Sequence, residues 1–381
     1  MKKIFLILVY AFAGFGFIMA LGFFAVKFEW TNVRGKADQN SNVYNNFELK
    51  EKLLLAQNKD VNSTASSTDN LLNDLEKQIQ ALEQIKSTEK ENLCKIFVVS
   101  QYSDLNAKTI FNVYQKYSDQ KILDRMVFAF SLKKNMPDFL EQIKVCTSTG
   151  LDEDTLSTQL QNPKDQNVFV WQNSEHWNII KQALTRDASQ INEVALSTDI
   201  DPREIVSVTI VEQLRLYYTQ RELFETFFKP LKILASANKM AWGIMAIKEK
   251  TAIQIENNLK DKNSPYYLGE KYEKLLDFKT NNPAQERYAR LTDDKNHFYS
   301  YLYGALYLKQ VEQQWQAQGF DISHRPEILA TLFNIGFKNS VPKANPAVGG
   351  STMNILGQTY SFGSLAHEFY YSGVMEEEFP F

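Results

Sequence analysis

Residues 201–218, DPREIVSVTIVEQLRLYY, carry the strongest structural signal in this chain of 381 residues. Asp201 can cap a helix, Pro202 suits the first helical position, and Glu204 completes the spacing of a capping box. The helix that follows is apolar on nearly every side, which predicts burial inside a bundle of helices. We therefore expect an all-α protein.

Glu212 is the acidic residue within the apolar part of that helix, on the same face as Val208 and Leu216. A carboxyl group there is shielded from water, which favours its protonated form. A glycosidase needs such a proton donor for the leaving oxygen. In the alternative interpretation Glu212 is structural and forms a buried ion pair with Arg215 or Arg221.

Three further segments follow in order and strengthen the first interpretation. They are Gly243-Ile244-Met245-Ala246-Ile247, Gly304-Ala305-Leu306-Tyr307-Leu308 and Leu332-Phe333-Asn334-Ile335-Gly336. Together with IVSVTIVEQLR they resemble the motifs of the lytic transglycosylases. This family belongs to the lysozyme-like superfamily, with the soluble lytic transglycosylases and the goose-type lysozymes. The resemblance covers about residues 188–340.

The resemblance implies a lysozyme-like domain that cleaves peptidoglycan between N-acetylmuramic acid and N-acetylglucosamine. Glu212 would protonate the glycosidic oxygen and then act as base on the muramyl 6-hydroxyl, which gives a 1,6-anhydro product. It implies neither a metal nor another cofactor. The residues expected to contact substrate are Gln213, Gly243, Met245, Tyr307, Phe333, Asn334 and Tyr360. Tyr360 lies beyond the aligned part, and the alternative is that it is a core aromatic.

Four positions depart from the family pattern. Ala246 replaces the motif Gln, Ala241 replaces a Ser, Phe333 replaces a Tyr, and Gln213 stands where Ser is usual. These departures leave open a catalytically inactive peptidoglycan-binding or envelope scaffold protein with a lysozyme-like fold. A third hypothesis is a helical partner-binding protein of the envelope. Glu222 and Glu225 are candidates for a second carboxylate, which would permit ordinary hydrolysis.

The uncharged run over residues 4–26 follows Lys2 and Lys3 and is long enough to cross a bilayer. A cleaved signal peptide is the competing interpretation, but the run is longer than a usual signal core and no small-residue cleavage site follows it. We expect a single-pass anchor in the cell membrane, with the bulk of the chain periplasmic or extracellular.

The chain is predicted to divide into four parts. Residues 1–30 form the cytoplasmic N-terminus and anchor, and residues 31–92 form a polar spacer with an amphipathic helix over 70–92. Residues 93–187 form an accessory helical module, with helices near 107–117, 121–132 and 137–146. The transglycosylase domain occupies 188–381. Residues 70–187 are the candidate contact for an envelope protein partner.

Composition narrows the chemistry further. The formal net charge of -3 and the lack of a basic run argue against nucleic acid as a partner. Cys94 and Cys146 either form one disulfide or are two unrelated thiols, and neither has the spacing of a structural zinc site. His367-Glu368 begins like a zinc-protease helix but lacks the second histidine, because position 371 is Tyr.

Overall fold

The computed structural model describes residues 36–38, 41–57, 89–218 and 241–381, together with a few positions between 10 and 21. Most of these residues are helical, so the expectation of a mostly helical protein is confirmed. Among the described residues, no helix has the length and apolar character that a bilayer span requires. Most of the predicted anchor over 4–26 lies outside the described residues, as do residues 70–88 of the predicted amphipathic helix.

Thirteen α-helices are described in these parts of the chain. In chain order, α1–α13 are Ser41–Gln57, Glu89–Ser100, Asp104–Tyr117, Gln120–Ser131, Phe139–Ser148, Glu153–Gln159, Glu175–Thr198, Pro202–Tyr218, Glu249–Lys260, Pro283–Thr292, Phe298–Gln316, Pro326–Ile335 and Phe362–Tyr371.

Six short strands form three antiparallel pairs within the described ranges. The strands β1–β6 are Lys36–Ala37, Ala241–Trp242, Ile247–Lys248, Gly349–Gly350, Thr352–Ile355 and Gln358–Ser361. Strand β1 pairs with β4, β2 with β3, and β5 with β6. The sequence did not predict these ribbons, because each is too short to show an alternating pattern of apolar residues.

Helix α8 is the buried helix expected from residues 201–218, and it packs against α7, α11, α12, α13 and β5. Its start is capped as predicted, since the main-chain NH of Arg203 donates to Asp201 Oδ1 over 2.7 Å. The expected capping box is wrong. The Glu204 carboxylate instead accepts from the main-chain NH of His324 at 3.0 Å, because burial beside α12 offers it a tertiary donor.

The three helices predicted near 107–117, 121–132 and 137–146 are confirmed as α3, α4 and α5. A disulfide between Cys94 and Cys146 joins α2 to α5, which settles the question of the two cysteines. In the chain-entropy model this cross-link stabilises the folded protein by about 4 kcal/mol. Most buried apolar side chains of residues 93–187 belong to the same contiguous core as those of the C-terminal part, whereas Cys94, Val98, Ile143 and Cys146 form a small separate cluster. The domain boundaries themselves stay a prediction.

Residues 41–57, within the predicted spacer region over 31–92, form α1 and lie against the C-terminal half. Asn45 Nδ2 donates to the carbonyl oxygen of Pro346 at 2.9 Å, and Arg125 forms ion pairs with Glu48 and Glu51. Polar side chains hold this helix in place, together with the buried ring of Tyr44. Its apolar periodicity is therefore weak, and sequence pattern alone could not identify it.

Candidate active site

Glu212 lies near the C-terminal end of α8, and only 3% of its surface is exposed. Its Oε2 atom accepts from Nε of Arg215 at 3.1 Å and also contacts Nη2 of the same guanidinium. The ion pair that the sequence offered as an alternative is therefore present, with Arg215 as the partner. The other carboxyl oxygen, Oε1, accepts no hydrogen bond from any residue within the described ranges. Arg221, Glu222 and Glu225 lie outside the described residues.

Gln213 connects the helix of Glu212 to the turn between β2 and β3. Its Nε2 donates to the carbonyl oxygen of Ile244 over 2.6 Å. The turn is closed by a hydrogen bond of 3.1 Å from the main-chain NH of Ala246 to the carbonyl oxygen of Gly243. Gly243 and Ala246 both have positive φ, at 70° and 49°. The sequence elements around Glu212 and Gly243 are thus direct neighbours.

Met245 points from this turn into the core and is fully buried. Thr209 Oγ1 of α8 lies 2.7 Å from the Met245 sulfur. The main-chain NH of Met245 donates to Ser300 Oγ of α11 over 3.3 Å. Gly304, also on α11, lies so close that an added Cβ would overlap the Met245 side chain. The glycine of the third motif therefore permits the close packing of α11 on the turn. Met245 is a packing residue in this arrangement.

The third and fourth motifs also meet. The Tyr307 hydroxyl donates to the carbonyl oxygen of Leu332 over 2.9 Å, and its ring lies 5.0 Å from that of Phe333. Asn334 Oδ1 accepts from both the main-chain NH and the hydroxyl of Ser351, at 2.9 and 3.1 Å. Phe333 and Asn334 are partly exposed at the end of α12, whereas Tyr307 is buried.

Tyr360 lies elsewhere, buried at 1% exposure on β6. The ammonium of Lys133 lies 4.5 Å from the centre of its ring. Burial and the nearby carboxylate of Glu368 raise the pKa of its hydroxyl. No hydrogen bond or ring contact joins Tyr360 to Glu212 in the part of the chain that the structure describes. Its surroundings are those of the core aromatic that the sequence offered as an alternative.

Two clusters of buried carboxyl groups were not predicted. Glu368 pairs with Lys133, and burial raises the pKa of Glu368 to about 7. Burial also raises the pKa of Glu204 and of Glu312, and the Glu312 carboxylate adds to the rise at Glu204. The sequence contained a signal for the Glu368–Lys133 cluster, because His367 and Glu368 interrupt an otherwise apolar helix. The second cluster joins α8 and α11, which are far apart in the chain, and it left no pattern in the sequence.

Among the described residues, one group could bring three metal-ligating side chains together, namely Asp201, Glu204 and His324. The two carboxylates already have partners in the protein. The Asp201 carboxylate accepts from the Tyr370 hydroxyl and the NH of Arg203, and Glu204 accepts from the NH of His324. Their arrangement is accounted for by helix capping and by loop attachment.

Comparison with known proteins gives no match: no family model, no curated protein and no solved structure resembles this chain significantly.

Proposed function

We propose that this protein is a membrane-anchored lytic transglycosylase that cleaves the glycan strands of peptidoglycan, with Glu212 as its acid and base. The observation that carries the proposal is the hydrogen bond between Gln213 and Ile244. It places the motif turn beside the helix of Glu212. Gly304 packs on that turn, and residues 332–336 pack on Tyr307. The other three motif segments, which are far apart in sequence, thus lie near α8.

The ion pair with Arg215 is the arrangement that the structural alternative for Glu212 expects. Arg215 contacts Oε2 of Glu212, and no described residue donates to Oε1. In the proposed reaction Glu212 donates its proton to the leaving oxygen of N-acetylglucosamine. It then removes the proton of the muramyl 6-hydroxyl as that oxygen bonds to the anomeric carbon, so that no water is consumed.

One observation supports the proposed location outside the cytoplasm, and a second supports a position near the membrane. The Cys94–Cys146 disulfide is typical of an oxidising compartment. Strand β1 begins at Lys36, ten residues after the apolar run ends at Val26, and pairs with β4 of the C-terminal half. With an anchor over 4–26, the intervening residues reach at most about 35 Å, so the C-terminal half would lie close to the membrane surface.

The alternative is a catalytically inactive peptidoglycan-binding protein that has kept the same arrangement. Ala246 favours it, because a methyl group at this turn cannot form the hydrogen bond to sugar that the motif Gln supplies. A further alternative is an envelope protein that binds a protein partner, in which the Glu212–Arg215 pair is purely structural.

One experiment separates these functions. The full-length chain in detergent, as wild type and as Glu212→Gln, is incubated with purified sacculi, and the soluble products are separated and weighed by mass spectrometry. Glu193→Gln is the matched control, since Glu193 is exposed on α7. We expect 1,6-anhydro-muropeptides from wild type and control, and at least about 100-fold less from Glu212→Gln.

Equal cleavage by Glu212→Gln would overturn the assignment of the acid. Binding to sacculi without cleavage by wild type would favour the inactive binding protein. Neither binding nor cleavage would favour the protein-binding alternative.

A further inference from the structure

A cleft of about 600 Å³ opens between the predicted accessory module and the β5–β6 hairpin, away from Glu212. Lys133 and Lys134 line it from the loop after α4, and Leu356 and Gln358 line it from the hairpin. A second loop lines it with residues 165–168 and Val170. Its volume lies in the range of small-molecule binding sites. Its lining is more polar than apolar, which disfavours an apolar ligand.

One set of polar side chains builds the wall of this cleft. The Asp165 carboxylate accepts from the Ser103 hydroxyl and, at 3.0 Å, from the main-chain NH of Leu105. Asn167 Oδ1 accepts from Asn106 Nδ2 at 3.0 Å and from the NH of Phe169 at 2.9 Å. These bonds fasten the loop over 165–170 to α3, so the wall is formed in advance of any ligand.

A second set of polar groups around the cleft has no partner within the described ranges. It comprises the Tyr102 hydroxyl, the Lys134 ammonium and the side-chain amides of Gln166 and Gln358. An aromatic hydroxyl, a cation and two amides therefore surround one space without bonding to each other. Each of them can bond to a hydroxyl, amide or carboxylate group of a ligand.

The floor of the cleft is rigid. Lys133 forms an ion pair with the buried carboxylate of Glu368 and lies over the ring of Tyr360. The indole Nε1 of Trp171 lies close to that carboxylate without reaching hydrogen-bond geometry. One helix and one strand, through Glu368 of α13 and Tyr360 of β6, thus hold Lys133 in place. The ion pair with Glu368 leaves Lys134 as the cation available to a ligand.

The rim contains one backbone conformation that points to a ligand contact. Leu356 and Gly357 form the two-residue turn of the hairpin, with φ of 49° and 87°. Asn and Gly are favoured at such positions, and a leucine with positive φ costs about 1 kcal/mol or more. The side chain of Leu356 is 59% exposed and lines the cleft. The folded protein therefore keeps an exposed leucine at this turn although its backbone conformation costs free energy of folding.

We propose that this cleft binds a carboxylate-bearing, amide- and hydroxyl-rich segment of the peptidoglycan strand, as a second site distinct from the one around Glu212. Lys134 binds the carboxylate, and the side chains of Gln166 and Gln358 and the Tyr102 hydroxyl bind amide and hydroxyl groups. The Tyr102 ring and Leu356 cover the apolar face of a sugar or peptide. The choice of peptidoglycan rests on the proposed function. The cleft gives residues 93–187 a role in holding the strand while it is cleaved elsewhere.

The test measures binding by calorimetry to the full-length chain carrying Glu212→Gln, so that the ligand stays intact. The probes are glycan chains with peptide stems, glycan chains stripped of their stems, and free stem peptide. Lys134→Glu and Tyr102→Phe are the cleft variants. Lys181→Glu is the control, since Lys181 is exposed on α7 and does not line the cleft.

We expect Lys134→Glu to weaken binding of the stem-bearing chains at least tenfold, Tyr102→Phe to weaken it severalfold, and Lys181→Glu to leave it unchanged. If the Glu212→Gln protein binds the stripped chains as tightly as the stem-bearing chains, the cleft contacts the sugar. If it binds the free stem peptide as tightly, the cleft contacts the peptide stem. Equal affinities for both cleft variants and the control would overturn the inference, as would a lack of measurable binding of every probe.

The two proposals fail separately. If cleavage depends on Glu212 but the cleft variants bind as the control does, only the proposal of the second site is refuted. Binding that depends on Lys134, without cleavage by wild type, would remove only the enzyme.

Discussion

Gln213 donates a hydrogen bond of 2.6 Å to the carbonyl oxygen of Ile244, which ties the residue next to Glu212 to the turn that begins at Gly243. The bond is short and partly shielded from water. It fixes the distance between the end of α8 and the turn, and through that distance the position of the proposed acid relative to the proposed substrate contacts.

Gln213→Ala should therefore loosen the site more than it destabilises the fold. The loss of one hydrogen bond costs about 1 kcal/mol of unfolding free energy. A displaced acid should lower kcat/KM for glycan cleavage by about tenfold or more. Urea unfolding and a cleavage assay on the same preparation measure the two effects. Unchanged kcat/KM would mean that this bond does not position Glu212.

Arg215→Met should destabilise the protein by on the order of 3 kcal/mol, because it leaves the Glu212 carboxylate buried without its partner. The double variant Glu212→Met with Arg215→Met should recover most of that loss, since no charge then stays buried. Urea denaturation of wild type, both single variants and the double variant gives the coupling energy. A cost below about 1 kcal/mol for Arg215→Met would show that the pair is effectively solvated.

Gly243→Ala should be among the most damaging single-methyl changes in the described part of the chain. An added Cβ would overlap the carbonyl oxygen of Leu291 and would lie 2.7 Å from Ser300 Oγ. Gly150→Ala is the matched control, with φ of 78° against 70° and open space around the Cβ. We expect about 1 kcal/mol for Gly150→Ala and about 3 kcal/mol or more for Gly243→Ala. Equal losses would show that backbone conformation alone matters at Gly243.

Stability should depend on pH through Glu368, whose pKa burial raises to about 7 from an ordinary value of 4.5. The folded state then binds a proton that the unfolded state has already lost. The stability contributed by the protonated form is fully present below about pH 4.5 and decreases as pH rises to about 7. The decrease amounts to about 3 kcal/mol.

Unfolding free energies of wild type and Glu368→Gln, measured from pH 4 to 8, isolate this contribution, because other buried carboxyl groups titrate in both proteins. The wild type should lose more stability over that range than Glu368→Gln, and Glu193→Gln should behave as wild type. Parallel curves for wild type and Glu368→Gln would contradict the assignment.

Local signals in the sequence determined much of the architecture. Asp201 and Pro202 start α8 where the capping pattern predicted, and the helices expected near 107–117, 121–132 and 137–146 are α3, α4 and α5. The order of the four motifs made Glu212 the candidate acid, which stays a prediction. These features are readable because helix starts and helix faces depend on residues within one or two turns of each other.

Only the tertiary structure decided which partners these residues have. It joined Cys94 and Cys146 in a disulfide and paired Glu212 with Arg215. The Glu204 carboxylate accepts from the NH of His324 and does not cap its own helix, and the Tyr360 ring lies beside Lys133. The tertiary structure also attached α1 to the C-terminal half through polar contacts. Such contacts join residues far apart in the chain or choose among several charged neighbours, and their energies depend on burial, which no local pattern encodes.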